Sequence, residues 1–364
     1  FVIHYQAPNS IISYYQQVGR AGRQIDESYG ILFFSSEDQR IQEHFRRQSL
    51  PEPENIRQVL SLIESSDGLK TGEILRQMNL RTKKIEHILK FLAVENNPPI
   101  VKDENNLWHR TPNQYFFDEE KAQAITLQRK SEWDEFVQYQ KEQNCLMQYL
   151  GKKLDDPQNT ACGKCSVCIG RDVWNMDIVQ ESIDVADIFL RKRKFIFSCK
   201  KLIPWEDPFT TYEIRRGFLS KDLRSEDGRF LSLWDDGLWG TIVKDDKQVN
   251  GVFRDEILKV FLEMIEDWKI AKSLNWITCI PSNNSDIVSV FSRKVAEKLN
   301  LPFIAVIKKA RQNDPQKLQE NPFHQCVNLD GAFKIEGPVR NEPVLLIDDV
   351  IDSGWTLTVA SILL

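Results

Sequence analysis

Val344-Leu345-Leu346-Ile347-Asp348-Asp349-Val350-Ile351-Asp352-Ser353-Gly354-Trp355-Thr356 sets four apolar residues before two adjacent carboxylates, a glycine-containing loop and a helical run. Four apolar residues without alternation read as a strand buried on both faces, the kind found in parallel sheets covered by helices. The acids fall at the carboxyl end of that strand and Gly354 opens the helix. Open α/β sheets bind ligands at that place, and the N–H groups of a helix start suit a phosphate. An acidic strand end with a plain Ser-Gly turn is the alternative. Upstream, the pattern predicts a helix from about Phe253 to Trp268, a strand Trp276 to Ile280, a helix Val288 to Leu299 and a strand Phe303 to Ile307. This alternation implies a parallel sheet between helices over residues 251–364.

The chain has 364 residues, more than one core usually serves, so several domains are expected. Hydrophobic residues at 41%, with 20 Phe and 9 Trp, fill cores and exclude wholesale disorder. No apolar run approaches the roughly 18 residues a membrane-spanning helix needs. A net charge of -5 gives no global basic field, so any nucleic-acid contact rests on local patches. Phe1 to Tyr5 lack a charged signal-peptide start, and a cytoplasmic protein with no membrane partner is expected. The chain opens without Met in an apolar run and stops at Leu363-Leu364 inside a helical pattern, so it reads as a piece of a longer protein.

Toward the amino end, a strand Phe1–Tyr5, a helix from Ile11 capped by Ser10, a strand Gly30–Phe34 and a polar helix opened by Ser35-x-x-Asp38 suggest α/β structure up to Leu50-Pro51. Apolar residues at helical spacing (Ile56, Val59, Leu60, Ile63), a helix from Thr71 to Met78 and a third with Ile85, Ile88, Leu89 and Leu92 follow. A hairpin around Asp103–Asn106 completes the order of a winged helix over 51–117. Arg81, Lys83 and Lys84 open its third helix, either as DNA-binding residues or as the solvated face of a protein-interaction module. In 173–250, the run Arg191–Lys194 before Phe195-Ile196-Phe197 reads as a strand edge guarded by charge, with a phosphate-backbone contact as the alternative.

Cys145, Cys162, Cys165 and Cys168 suit tetrahedral zinc, because two successive C-x-x-C turns bring sulfurs within chelating distance. A redox pair is the rival, but no thioredoxin-like βαβ pattern surrounds it. Four sulfurs leave no open position, so a structural Zn2+ is expected whose loss unfolds the segment. Cys199, Cys279 and Cys326 lack partners at metal spacing and read as buried side chains.

Gln16-Gln17-Val18-Gly19-Arg20-Ala21-Gly22-Arg23 follows a helix with two arginines three apart, whose planar forks suit phosphate oxygens. The run resembles motif VI of superfamily 2 helicases, and Pro8-x-Ser10-x-x-x-Tyr14-Tyr15-Gln16 narrows the resemblance to the RecQ family. By that resemblance Gln16, Arg20 and Arg23 are catalytic, coupling the ATP γ-phosphate to lobe movement, with Arg23 as arginine finger. Gln17 and Gln24 stand where many relatives have Glu and Asp. No G-x-x-x-x-G-K-[ST] loop and no Asp-Glu-x-His box occurs, so ATP and Mg2+ are expected to need a first lobe upstream of Phe1. Cys145 and the run Cys162–Cys168 also resemble the RecQ zinc-binding domain.

The run 344–356 resembles the phosphoribosyl pyrophosphate signature of type I phosphoribosyltransferases. The resemblance implies that Asp348 and Asp349 bind the ribose hydroxyls and that Asp352, Ser353, Gly354, Trp355 and Thr356 cradle the 5′-phosphate of phosphoribosyl pyrophosphate, held with Mg2+. Pro281-Ser282 would supply a pyrophosphate loop, and Lys308-Lys309 with Gln316 to Phe333 is similar to the flexible loop of the ComF-type branch. The fold expected is multidomain α/β and α: the tail of a second RecA-like helicase lobe (1–50), a winged helix (51–117), a RecQ-type zinc-binding helical module (118–172), a connecting region (173–250), and a Rossmann-like type I phosphoribosyltransferase domain, truncated (251–364). In RecQ proteins the winged helix follows the zinc module, whereas here it precedes. The function implied is an ATP-dependent 3′–5′ DNA helicase in recombination or repair, acting on single-strand/duplex junctions. A phosphoribosyltransferase or phosphoribosyl pyrophosphate-binding protein tethered to DNA and a non-catalytic DNA-binding scaffold are the alternatives.

Overall fold

The computed structural model describes residues 1–364 except 23–26, 158–159, 174–176, 205–206, 235 and 283–284. The chain forms two compact units, Phe1–Lys70 with Glu86–Ile178 and Thr71–Ile85 with Val179–Leu364. The span 51–117, expected as one winged-helix module, is therefore divided between them. In chain order the elements begin β1 (Val2–His4), α1 (Ile11–Val18), β2 (Gly30–Leu32), α2 (Ser36–Arg47), α3 (Pro53–Glu64), α4 (Thr71–Gln77) and α5 (Thr82–Ala93). They continue with β3 (Ile100–Lys102), β4 (Trp108–Arg110), α6 (Glu119–Gln140), α7 (Leu146–Lys153), α8 (Ser166–Ile169) and α9 (Gln180–Arg191).

In the first unit β1 lies parallel to β2, joined through α1 in the β-α-β order the sequence predicts. The Ser10 hydroxyl accepts the Ser13 N–H at 3.2 Å and so caps the first turn of α1. Buried Asp38 accepts the Ser35 N–H at 2.7 Å and the Ala7 N–H at 2.9 Å, fixing both the start of α2 and the loop before α1. Ile11 and Tyr14 of α1 share one core with Trp133, Phe136 and Tyr139 of α6 and Leu150 of α7. The spacing of three between the aromatic residues of α6 places them on one helix face. Segments expected in separate domains, 1–50 and 118–172, thus share a core. β3 and β4 pair antiparallel around a turn in which Asp103 accepts the N–H groups of Asn105 and Leu107.

The second unit continues with β5 (Phe195–Phe197), β6 (Leu202–Ile203), β7 (Gly217–Phe218), β8 (Gly228–Phe230), α10 (Trp239–Asp245), α11 (Asp255–Trp268), β9 (Trp276–Cys279) and α12 (Ile287–Leu299). After these come β10 (Ile307–Lys309), α13 (Pro322–Leu329), β11 (Phe333–Ile335), β12 (Val344–Ile347) and α14 (Trp355–Leu363). β12 runs parallel to β9 with Val344 opposite Trp276 and Ile347 opposite Cys279. All four residues of β9 are buried, as its apolar run requires, and side chains alternate between two cores. Ile277, Cys279, Leu345 and Ile347 face Ile257, Val288 and Val295 of α11 and α12. Trp276 and Ile280 face Cys326 and Leu329 of α13 and Val359 of α14.

The strand expected at 303–307 is interrupted. Phe303 bridges to Ile277 beside β9, but the Val306 N–H donates to the Ile304 carbonyl at 2.9 Å, and this tight turn redirects the chain into β10, which pairs antiparallel with β11. Trp276 is wholly buried. Trp276→Ala is expected to lower the stability of the second unit by about 3–5 kcal/mol, read from the denaturant midpoint of its unfolding transition.

Candidate functional site

The register of β9 and β12 brings two strand ends together, so Asp348-Asp349 and Pro281-Ser282 emerge side by side at the carboxyl edge of the sheet. The Asp349 N–H donates to Asp348 Oδ1 at 2.9 Å. Burial lifts the Asp348 carboxyl to about 7 and the neighbouring Asp349 charge adds to the rise, while the Asp349 N–H, Lys247 and Lys309 oppose it. Asp349 pairs with Lys247, Nζ to Oδ2 at 2.8 Å. A cavity of about 1010 Å3 adjoins β12, with Asp348, Asp349 and Asp352 in its wall beside the apolar residues Phe230, Phe253 and Phe291.

The loop after the acids turns at Gly354, whose φ of 81° is a left-handed conformation, and a Cβ there would lie 2.5 Å from the Phe197 ring. Only glycine fits both demands. The Ser353 hydroxyl is buried with no hydrogen-bond partner among the described residues, which is the kind of orphaned donor an anionic ligand satisfies. Asp352 is exposed and Thr356 half-buried. Trp355 turns into the core, 2% exposed and 6.3 Å from the Phe209 ring, so it offers the loop its backbone rather than its side chain. Lys247 escaped the sequence reading, because 173–250 shows no periodicity that would mark it, and Phe197 reads as part of a strand, without its approach to Gly354.

In the first unit the four cysteine sulfurs lie within 4.8 Å of one another. Cys145 caps α7 and Cys165 caps α8, so helix starts position two of the sulfurs. N–H groups point at sulfur throughout: Cys162 to Cys145 at 3.1 Å, Cys165 to Cys162 at 3.3 Å and Cys168 to Cys165 at 3.4 Å. Burial raises the Cys145 thiol, but the N–H donors of Cys162 and Gln148 outweigh it and bring the group down to about 6. The Cys168 thiol is pushed up to about 12 because it donates to Cys165 and Cys145. Sulfurs that share protons and accept N–H bonds form a donor set that fits a soft divalent metal ion. Cys279 and Cys326 are buried in the apolar cores of the second unit.

Gln16 and Arg20 stand exposed at the end of α1 and on the turn beyond it, where the Arg20 N–H closes onto the Gln17 carbonyl at 3.1 Å. Gly22 takes a φ of 76°, which accounts for a glycine in this run. Gln17 bonds His4 at 3.0 Å. Arg23 lies outside the described residues. At the start of α5, Lys84 pairs with Glu320 at 3.2 Å and the Arg81 N–H donates to the same carboxylate. Lys83, beside them, is exposed. Of the basic run, Arg191 pairs with Asp187 and Lys194 with Asp267, contacts that fit a guarded strand edge.

Compared with known proteins, the chain is 34% identical over 94 residues to a protein of Acanthamoeba polyphaga mimivirus whose name calls it an ATP-dependent RNA helicase. The match takes in 26% of this chain and spans 16% of that protein's length. A helicase-like relation is thereby supported for part of the chain. No family model matches, and no solved structure matches. Among the described residues no helix is long and apolar enough to cross a membrane.

Cys165→Ser is expected to abolish stoichiometric metal content, measured by elemental analysis of the purified protein, and to lower the melting temperature of the first unit. A metal-free variant that melts unchanged would contradict a structural role for the cluster.

Proposed function

We propose that this chain is part of a RecQ-type ATP-dependent DNA helicase that separates strands 3′ to 5′ in recombination or repair, and that it carries a type I phosphoribosyltransferase-like domain at 251–364. The observation that carries the helicase reading is the 94-residue similarity to a helicase-named protein, taken with Gln16 exposed near the end of α1 and Arg20 exposed on the turn beyond it. That relative is named for RNA. The preference for DNA rests on the resemblance of the run from Pro8 to Arg23 and of the four cysteines to RecQ proteins. In this reading Gln16, Arg20 and Arg23 meet the γ-phosphate of a Mg2+-bound ATP held by residues outside these 364. The four cysteines hold a structural Zn2+. The junction-splitting surface comes from the zinc and winged-helix region, and the protein works in the cytoplasm.

The acid pair supports a second activity. Asp348 and Asp349 accept the ribose hydroxyls of phosphoribosyl pyrophosphate, and the N–H groups of 352–356 with the Ser353 hydroxyl receive its 5′-phosphate. The orphaned Ser353 oxygen and left-handed Gly354 favour this over a plain turn. Any accompanying Mg2+ belongs to the pyrophosphate, so the chain's own contribution is hydrogen bonding and charge.

Arg23→Ala in the full-length protein is expected to lower DNA-stimulated ATP hydrolysis by about 10³-fold while leaving binding to a 3′-tailed duplex intact. An unchanged rate would remove Arg23 from its role, and stimulation by RNA alone would overturn the DNA assignment. The double replacement of Asp348→Asn with Asp349→Asn is expected to abolish the thermal shift that Mg2+ and phosphoribosyl pyrophosphate give the wild type. A retained shift would dismiss the acid pair as the sugar site.

A further inference from the structure

Lys247 sits in a five-residue π-helical turn, Asp246–Asn250, between α10 and α11. Such turns are uncommon and persist where surrounding contacts hold them. Here the holder is Asp246, 1% exposed, which accepts the Asn250 amide at 2.8 Å, the Arg254 backbone N–H at 2.9 Å and the Arg254 guanidinium at 2.7 Å. A carboxylate so fully bonded fixes the turn and with it the direction of its neighbour. The Lys247 side chain reaches Asp349, which is only 13% exposed, so this pair is less screened than a surface ion pair.

Among the described residues, the charged and titratable groups set against the acid pair are Lys247 from the π turn, Lys309 from β10 and Cys279 from β9, with Asp352 in the same cavity wall. Lys309 is partly committed elsewhere, since its ammonium donates to Asn313 at 2.7 Å and lies 4.6 Å from the Phe333 ring centre. Lys247 is the cation in direct contact. A carboxylate has two acceptor oxygens and Lys247 takes Oδ2.

We infer that Lys247 is a positioning residue of the sugar-phosphate site, whose ammonium keeps the acid pair in its hydroxyl-accepting form and offsets its charge against a polyanionic ligand. The inference rests on the phosphoribosyl reading above. The binding-competent form is the carboxylate. Lys247 lowers the Asp348 carboxyl, so removing the cation raises it and on acidification affinity is lost at a higher pH than in the wild type.

Calorimetric titration with Mg2+ and phosphoribosyl pyrophosphate between about pH 5.5 and 8.5 tests this. In Lys247→Met the acid limb of binding is expected to move up by about one pH unit or more, with affinity near neutrality falling about tenfold. Lys247→Arg is expected to restore the wild-type profile, and the ligand-free melting temperature of both variants to stay near that of the wild type. Wild-type binding with an unmoved acid limb in Lys247→Met would overturn the role of Lys247 and leave the phosphoribosyl reading standing. No binding by the wild type at any pH would overturn that reading and the Lys247 assignment with it.

Discussion

Two carboxylates side by side at the end of a buried strand repel each other. At the effective dielectric of a protein, like charges 4 Å apart cost about 4 kcal/mol. Much of the second unit is arranged around that cost. Asp348 relieves it by accepting the Asp349 N–H and by holding its proton to a higher pH, and Asp349 by pairing with Lys247. The lysine is held in place by a turn that depends on Asp246 and Arg254. β9 is equally necessary, because its four buried residues fix the register that sets the acids level with Pro281.

The cysteine cluster solves a related problem by other means. Residues 145–168 hold short helices, and among the four cysteines only Cys145 is buried. So little apolar surface leaves a segment of this kind to be closed by a cross-link or a metal. N–H groups directed at sulfur stabilise thiolates ahead of any cation, so the backbone is organised for a metal by the same hydrogen bonds that lower the Cys145 thiol. α6 and α7 tie this segment to α1 through the core of Tyr14, Phe136 and Leu150. The cluster is thereby coupled to α1, which carries Gln16, and to the turn beyond it.

How much was legible in the sequence follows from what local pattern can encode. The run 344–356 and the C-x-x-C turns declare themselves, because strand, loop and ligand residues are contiguous and the spacing is itself the chemistry. The alternation from 253 to 347 anticipated α11, β9, α12 and β12 for the same reason, but not α13, whose residues 322–329 read as part of a loop. Lys247 and the approach of Phe197 to Gly354 were invisible, since each matters only through a contact with a residue far along the chain. The strand at 303–307 misled because an apolar run cannot show that a tight turn at Ile304–Val306 moves it from one partner strand to another. The shared core of 1–48 and 119–153 was missed because Tyr14 and Phe136 each read as members of their own helix.

The start of α5 shows how charge already spent inside the fold limits function. Asn321 is 1% exposed and donates to the carbonyls of Leu75, Met78 and Leu80, so it closes the carboxyl end of α4, while Glu320 takes the Arg81 N–H and the Lys84 ammonium. Asn79 adds two more bonds, to the Leu318 carbonyl and the Glu320 N–H. A phosphate approaching Lys84 competes with the Glu320 carboxylate already paired with it. Exchanging one anion for another at a half-exposed lysine gains little, because the ion pair lost offsets the one formed. This geometry commits the Lys84 ammonium within the fold, while Arg81 engages Glu320 through its backbone and Lys83 stays exposed.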